Sequence, residues 1–353
     1  MTGLAPAVVT TSADHAEKRR RLLAVLDGTG AEALALTGST ALAWYLDGAR
    51  SHVSLAADPV LAVRVSRDAD EVLLTSNETA RLVREELPGW LTVCERPWYA
   101  GRPDLHARPE TALADALLRA RSPLLPVETE RFARLGADAA TALTDVLAVA
   151  EPSWTERRLA GEVARAVVER GADPLVVLVG GEDRAHLPHP LPTGGPLGRR
   201  VLVVLCARRH GLVVNLSRAL AFGDLDAAER DVQDRVLAVE QAALDALAPG
   251  VTLAEVLGVV GRAYATQGFG ADHWRGHHQG GVAGYAGRDP RATPDCSFSV
   301  AVGQAFAWNP WVPGGKVEDT VLLGDDGLEV LSVDPRWPSV RVGGRRRPVV
   351  WER

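Results

Sequence analysis

The chain has 353 residues, 46% of them apolar and 24% charged, an ordinary globular composition long enough for two domains and a core that needs no disulfides. Its formal charge of −6 argues against nucleic acid or an anionic membrane as the main partner, since both favour basic patches. Cys94, Cys206 and Cys296 are scattered, no signal-peptide pattern opens the chain, and no apolar run has the length of a membrane span, so a reducing, cytoplasmic setting is expected.

Residues 1–12 read as a loose polar arm. Helical spacing runs from Ala13 to Leu26 and ends at Gly28 and Gly30. Ala33–Leu36, Val53–Leu55, Val60–Val65 and Glu71–Leu74 have the β-branched, apolar character of strands. Ser39–Leu46 and Thr79–Leu87 read as helices, the second stopped by Pro88-Gly89. This alternation predicts a compact α/β domain over residues 1–150.

The boundary is expected at Glu151-Pro152. Ser153-Trp154-Thr155-Glu156 has the S-x-x-E form of a capping box, and a helical pattern follows to Arg170. Strands are expected near Leu175–Val179, Arg200–Cys206 and Gly211–Leu216, then a long helix from Leu225 to Leu247. A second helix, Leu253–Gln267, is followed by strands near His277–Gly281, Ser297–Trp308 and Val317–Leu323. Two helix-plus-strands units in succession predict a pseudo-twofold α+β domain over residues 151–353.

Six of the nine histidines fall between His186 and His278. Pro188-His189-Pro190 lies in a proline-rich loop, and His277-His278 stands between Trp274 and Gly280-Gly281, where glycines would let a substrate approach the backbone. Clustered imidazoles suggest zinc first. A two-metal hydrolase, however, needs several carboxylates to neutralise two dications, and near the histidines only Glu318 and Asp319 have strand-like placement. No G-x-S-x-G elbow, P-loop or dinucleotide fingerprint is present. Lys316, in the turn Gly314-Gly315-Lys316, is one of two lysines in an arginine-rich chain, with Lys18 the other. Its retention suggests that an ammonium is wanted there.

The order of these motifs resembles the pita-bread family that holds methionine aminopeptidase, aminopeptidase P, prolidase and creatinase. The first half, including Ala43-Trp44-Tyr45-Leu46 before Asp47-Gly48, resembles the smaller N-terminal domain of the creatinase and prolidase branch. The resemblance implies five metal-ligand positions, and this chain departs at three. Val204 and Asn215 stand where two aspartates are expected, Asn309 of Asn309-Pro310 replaces a glutamate, and His278 and Glu318 match. Tyr285 stands where many members carry a second histidine.

A dinuclear metallopeptidase is therefore not expected, and no cofactor is expected. Creatinase implies an alternative on this fold, C–N hydrolysis without metal with a histidine as acid and base. His189 would take that role, with His278 and Glu318 beside it. Arg218 and Arg288 would grip a substrate carboxylate, and Asn215, Asn309, His277, Tyr285 and Lys316 would supply further polar contacts. Trp274, Trp308 and Trp311 would wall the site. The expected function is a metal-independent hydrolase, with a lyase as the alternative, acting on a small amino-acid-like, amide or amidine substrate, and family analogy implies a homodimer. A non-catalytic binding protein and an Xaa-Pro peptidase with one metal on His278 and Glu318 are the competing readings.

Overall fold

The computed structural model describes residues 12–89, 91–101 and 103–353. The expected arm at residues 1–12 lies almost wholly outside these. The chain divides into one compact unit of residues 1–125 with 210–212, and a second of residues 126–209 with 213–353.

In the first unit, a five-stranded mixed sheet has the order Thr92–Arg96, Asp70–Thr75, Leu61–Ser66, Ala33–Leu36, Arg108–Pro109. Ala33–Leu36 is wholly buried, as its unbroken apolar run requires. Helix Ser12–Thr29 presents Leu22 and Leu26 to the core. It also carries Lys18, whose ammonium reaches Asp47 at 2.6 Å and the Trp44 carbonyl at 2.8 Å. Val53–Leu55 is not a strand. It bends at the surface with Val53 and Leu55 exposed, because neither side chain has a sheet face to bury against.

Helix Pro126–Leu147 opens the second unit and places the division at Leu125–Pro126 instead of Glu151–Pro152. Its inner stripe of Phe132, Leu135, Ala139, Leu143 and Leu147 is buried, and it packs on helix Glu156–Glu169. That apolar stripe makes it part of the second core.

Two antiparallel arrays follow. Strands Asp173–Gly180, Arg200–Arg209 and Leu212–Ala221 form one, joined at its edge by the short parallel strand Trp351–Glu352. Strands Gly280–Ala283, Ala305–Trp308, Asp319–Gly324 and Gly327–Val330 form the other. A bridge between Ser217 and Glu318 joins the two arrays. Helices Glu156–Glu169, Ala227–Asp245 and Leu253–Thr266 follow the predicted succession. The last two start with complete capping boxes, Asp226 with Glu229 and Thr252 with Glu255. The box expected at Ser153 is absent. Thr155 caps that helix instead, accepting from the Arg158 amide at 3.1 Å, and Glu156 turns inward.

Candidate active site

The inward turn of Glu156 shapes the loop that carries His189. Its carboxylate accepts from the Gly181 amide at 2.8 Å, the Thr193 amide at 2.7 Å and the Thr193 hydroxyl at 2.6 Å, and pairs with Arg184. Burial opposes the charge, but these donors outweigh it and hold the carboxyl below its ordinary pKa. The loop between strands Asp173–Gly180 and Arg200–Arg209 is thus fastened at Gly181, Arg184 and Thr193, on either side of His189. Sequence reading missed this role because S-x-x-E is also a surface capping pattern.

His277 and His278 precede strand Gly280–Ala283, which pairs with Ala305–Trp308. The Gly280-Gly281 pair serves packing. A Cβ on Gly281 would lie 2.2 Å from the Pro290 carbonyl oxygen, and one on Gly280 would lie 2.6 Å from the Ala307 carbonyl oxygen and 2.7 Å from the Trp308 ring. The space expected for a substrate there is filled by protein.

Three imidazoles meet. His277 Nε2 lies 3.1 Å from His189 Nε2, and His278 stacks on His277 with ring centroids 4.5 Å apart. His189 is exposed and His277 buried. Lys316, on the hairpin Trp311–Val312/Gly315–Lys316, donates to the Pro188 carbonyl at 3.0 Å and lies 3.5 Å from His277 Nε2. Burial, then the nearby Lys316 charge, brings His277 down to about 2. Burial and Arg288 bring His278 to about 3. Both are neutral at pH 7. His189 is lowered by burial and by Lys316, and burial lowers Lys316 as well.

Glu318 sits opposite with its Oε1 held by Arg288 at 2.5 Å. Asn215 accepts from the Cys206 thiol at 3.1 Å and donates to the Val213 and Gly287 carbonyls. Burial pushes that thiol up to about 12. Asn309, in the amide orientation that satisfies it, donates to the Gln279 carbonyl at 2.9 Å and the His278 carbonyl at 3.0 Å. Val204 packs in an apolar group with Leu178 and Leu202.

This donor set does not fit two dications. Of the five ligand positions implied by resemblance, one is an alkyl group in a core, two are amides committed to protein partners, and the single carboxylate is already neutralised by a guanidinium. His189, His277 and His278 keep a nitrogen each within 4.8 Å of one another, which suits one transition-metal ion in ligand type. The ammonium beside His277 opposes such an ion.

Two expected substrate contacts lie elsewhere. Arg218 is buried and spends its guanidinium on Asp319 at 3.0 Å and the Ser332 carbonyl at 2.6 Å. Asp319 also pairs with Arg347, which holds Glu240. Tyr285 donates its hydroxyl to Glu128 at 2.5 Å. Trp308 is buried against Gly280, while Trp311 remains near His277, with ring centroids 6.4 Å apart.

The model of metallopeptidase family M24 matches residues 130–325. The chain belongs to this family. An uncharacterized peptidase of Staphylococcus saprophyticus is 27% identical over 189 residues, 50% of this chain and 53% of that protein. An uncharacterized peptidase of Staphylococcus aureus is 24% identical over 192 residues, 51% and 54% of the two chains. The chain thus spans about half the length of the curated relatives it matches. Among solved structures, prolidase from Pyrococcus horikoshii superposes with a TM-score of 0.75 at 17% identity, covering 91% of this chain and 99% of that one. Dipeptidase PepE from Mycobacterium ulcerans gives 0.74 at 22%, covering 92% and 97%. X-Pro aminopeptidase from Thermotoga maritima gives 0.71 at 16%, covering 94% and 99%. These likenesses show the two-domain pita-bread fold along nearly the whole chain.

Proposed function

We propose that this M24 member hydrolyses a C–N bond in a small amino-acid-like or amide substrate, with His189 as acid and base and without a dinuclear centre. The observation that carries the reading is the contact of exposed His189 with buried, neutral His277, 3.1 Å apart at their Nε2 atoms. One nitrogen of that pair must donate and the other accept. Lys316, facing His277 Nε2, favours the acceptor role for His277. His189 then carries its proton on Nε2 and offers Nδ1 as the base.

In this scheme His189 Nδ1 takes a proton from water as the water oxygen bonds to the carbonyl carbon. The tetrahedral intermediate collapses as the C–N bond breaks, and the imidazolium returns the proton to the leaving nitrogen. A lowered His189 pKa keeps the base free at neutral pH. His277 and His278 remain neutral throughout and orient it.

The test is turnover of Xaa-Pro dipeptides, N-acyl amino acids and amidines by the metal-analysed protein. His189→Ala should cut kcat by about 10²-fold or more, with no near-stoichiometric Mn, Fe, Zn or Co in the active protein. Unchanged turnover would refute the acid–base assignment. The imidazole cluster supports a second reading, a hydrolase with one metal ion on His189, His277 and His278, which one tightly held equivalent of metal would favour. A metal on His278 and Glu318 is opposed by the Arg288 guanidinium, which already pairs with Glu318 Oε1 and stands beside His278.

A further inference from the structure

The positions that fail as a dication site have a charge pattern of their own. Lys316, Arg288 and Arg291 all act electrostatically on the imidazole cluster, and Glu318 is the carboxylate that acts on it from beside His189. That carboxylate is tied through Oε1 to Arg288, so Lys316, Arg288 and Arg291 share a single carboxylate here. A site with surplus fixed cations attracts an anion.

Hydrogen-bond capacity points the same way. An ammonium has three N–H donors. Lys316 directs one to the Pro188 carbonyl and one toward His277 Nε2, and the third meets no acceptor among the described residues. Arg288 is more than nine-tenths buried, yet its Nε has no partner. The Trp311 indole N–H, on the same hairpin as Lys316, is also unsatisfied. Buried donors without acceptors are costly and uncommon in native structures. The unsatisfied acceptor beside them is Glu318 Oε2, which suits an N–H.

We propose that the place where this family carries metal ions is, in this chain, an oxyanion site centred on Lys316. It takes the carboxylate of a substrate whose N–H group faces Glu318 Oε2. The substrate class is then an N-substituted amino acid, with the carboxylate near Lys316 and the scissile C–N bond toward His189. This rests on the imidazole cluster being the active site. It reverses the sign of the charge that the site receives, from dication to anion.

The probe is N-acetylglycine, titrated into the full chain by calorimetry against N-acetylglycinamide, which lacks the charge, and inorganic phosphate. The acid should bind at least about tenfold more tightly than the amide, as charge-paired groups do over neutral ones, and more tightly than phosphate. Lys316→Met should collapse the acid-to-amide affinity ratio toward one, and Lys316→Arg should keep it in part. Arg291→Gln, at an exposed position, should weaken acid binding by about twofold to fivefold. Equal binding of acid and amide by the unaltered protein overturns the proposal even if Lys316→Met fails to fold. Tighter binding of phosphate overturns the carboxylate assignment. Stoichiometric Mn or Zn binding that N-acetylglycine displaces also overturns it. Binding without hydrolysis keeps the oxyanion site and refutes only the hydrolase reading.

Discussion

Both lysines of this arginine-rich chain point inward, and each is committed to specific acceptors. Lys18 is fully buried and paired with Asp47 in the first unit; Lys316 holds the Pro188 carbonyl in the second. Lys18→Met should cost about 3–5 kcal/mol, because it removes the ammonium from a fully buried ion pair. Urea unfolding followed on the first unit would read it, and a loss under about 1 kcal/mol would sink the idea. The rarity of lysine made Lys316 visible in the sequence, whereas its acceptor, a carbonyl 128 residues away, was not. Arg218 was misread for a different reason. Side chains alternate across a strand, so Asn215 and Arg218, three positions apart on strand Leu212–Ala221, face opposite ways. The same alternation puts Glu318 by the imidazoles and Asp319 in the Arg218–Arg347–Glu240 network. A strict period of two, applied to the sequence alone, separates Arg218 from the face that carries Asn215.

At the scale of elements, regular segments were legible and the loop between them was not. Helices Glu156–Glu169 and Leu253–Thr266 follow from apolar spacing and caps. Helix Pro126–Leu147 has an equally regular stripe, and leaving it unread shifted the domain boundary. The loop 181–199 has no periodicity to read; its form depends on Glu156. Glu156→Gln keeps the shape but replaces one acceptor oxygen with a donor that faces donors. The prediction is a loop that opens locally, with protease cleavage in residues 181–199 at least about tenfold faster for about 1.4 kcal/mol lost. If His189 is the acid–base group, kcat should fall while the global melting temperature moves little. An unchanged cleavage rate would show that the loop is held by something other than this carboxylate.

For the molecule as a whole, the buried imidazoles couple the site to stability. His277 and His278 are depressed to about 2 and about 3 in the folded chain by burial and neighbouring cations, against about 6.5 when unfolded. Above pH ~6.5 both states hold neutral rings, and the folded state keeps its full stability. As pH falls below that value the unfolded chain takes up protons that the folded chain refuses, so stability drops until the folded values are reached. The slope is at most about 1.4 kcal/mol per pH unit for each ring. Carboxylates such as Glu156 and Asp334 are themselves held below their ordinary values. Their contribution is present above an unfolded pKa of about 4 and is lost only at lower pH. In the interval from pH 6.5 down to about 5 these lowered carboxylates therefore stay charged in both states, and the imidazoles can be read by substitution. Urea unfolding of the second unit across that interval should show falling stability with falling pH, and His278→Asn should flatten the slope. An unchanged slope in that variant would mean that His278 is already charged in the folded protein, and a protonated ring there would contradict the neutral cluster on which His189 depends.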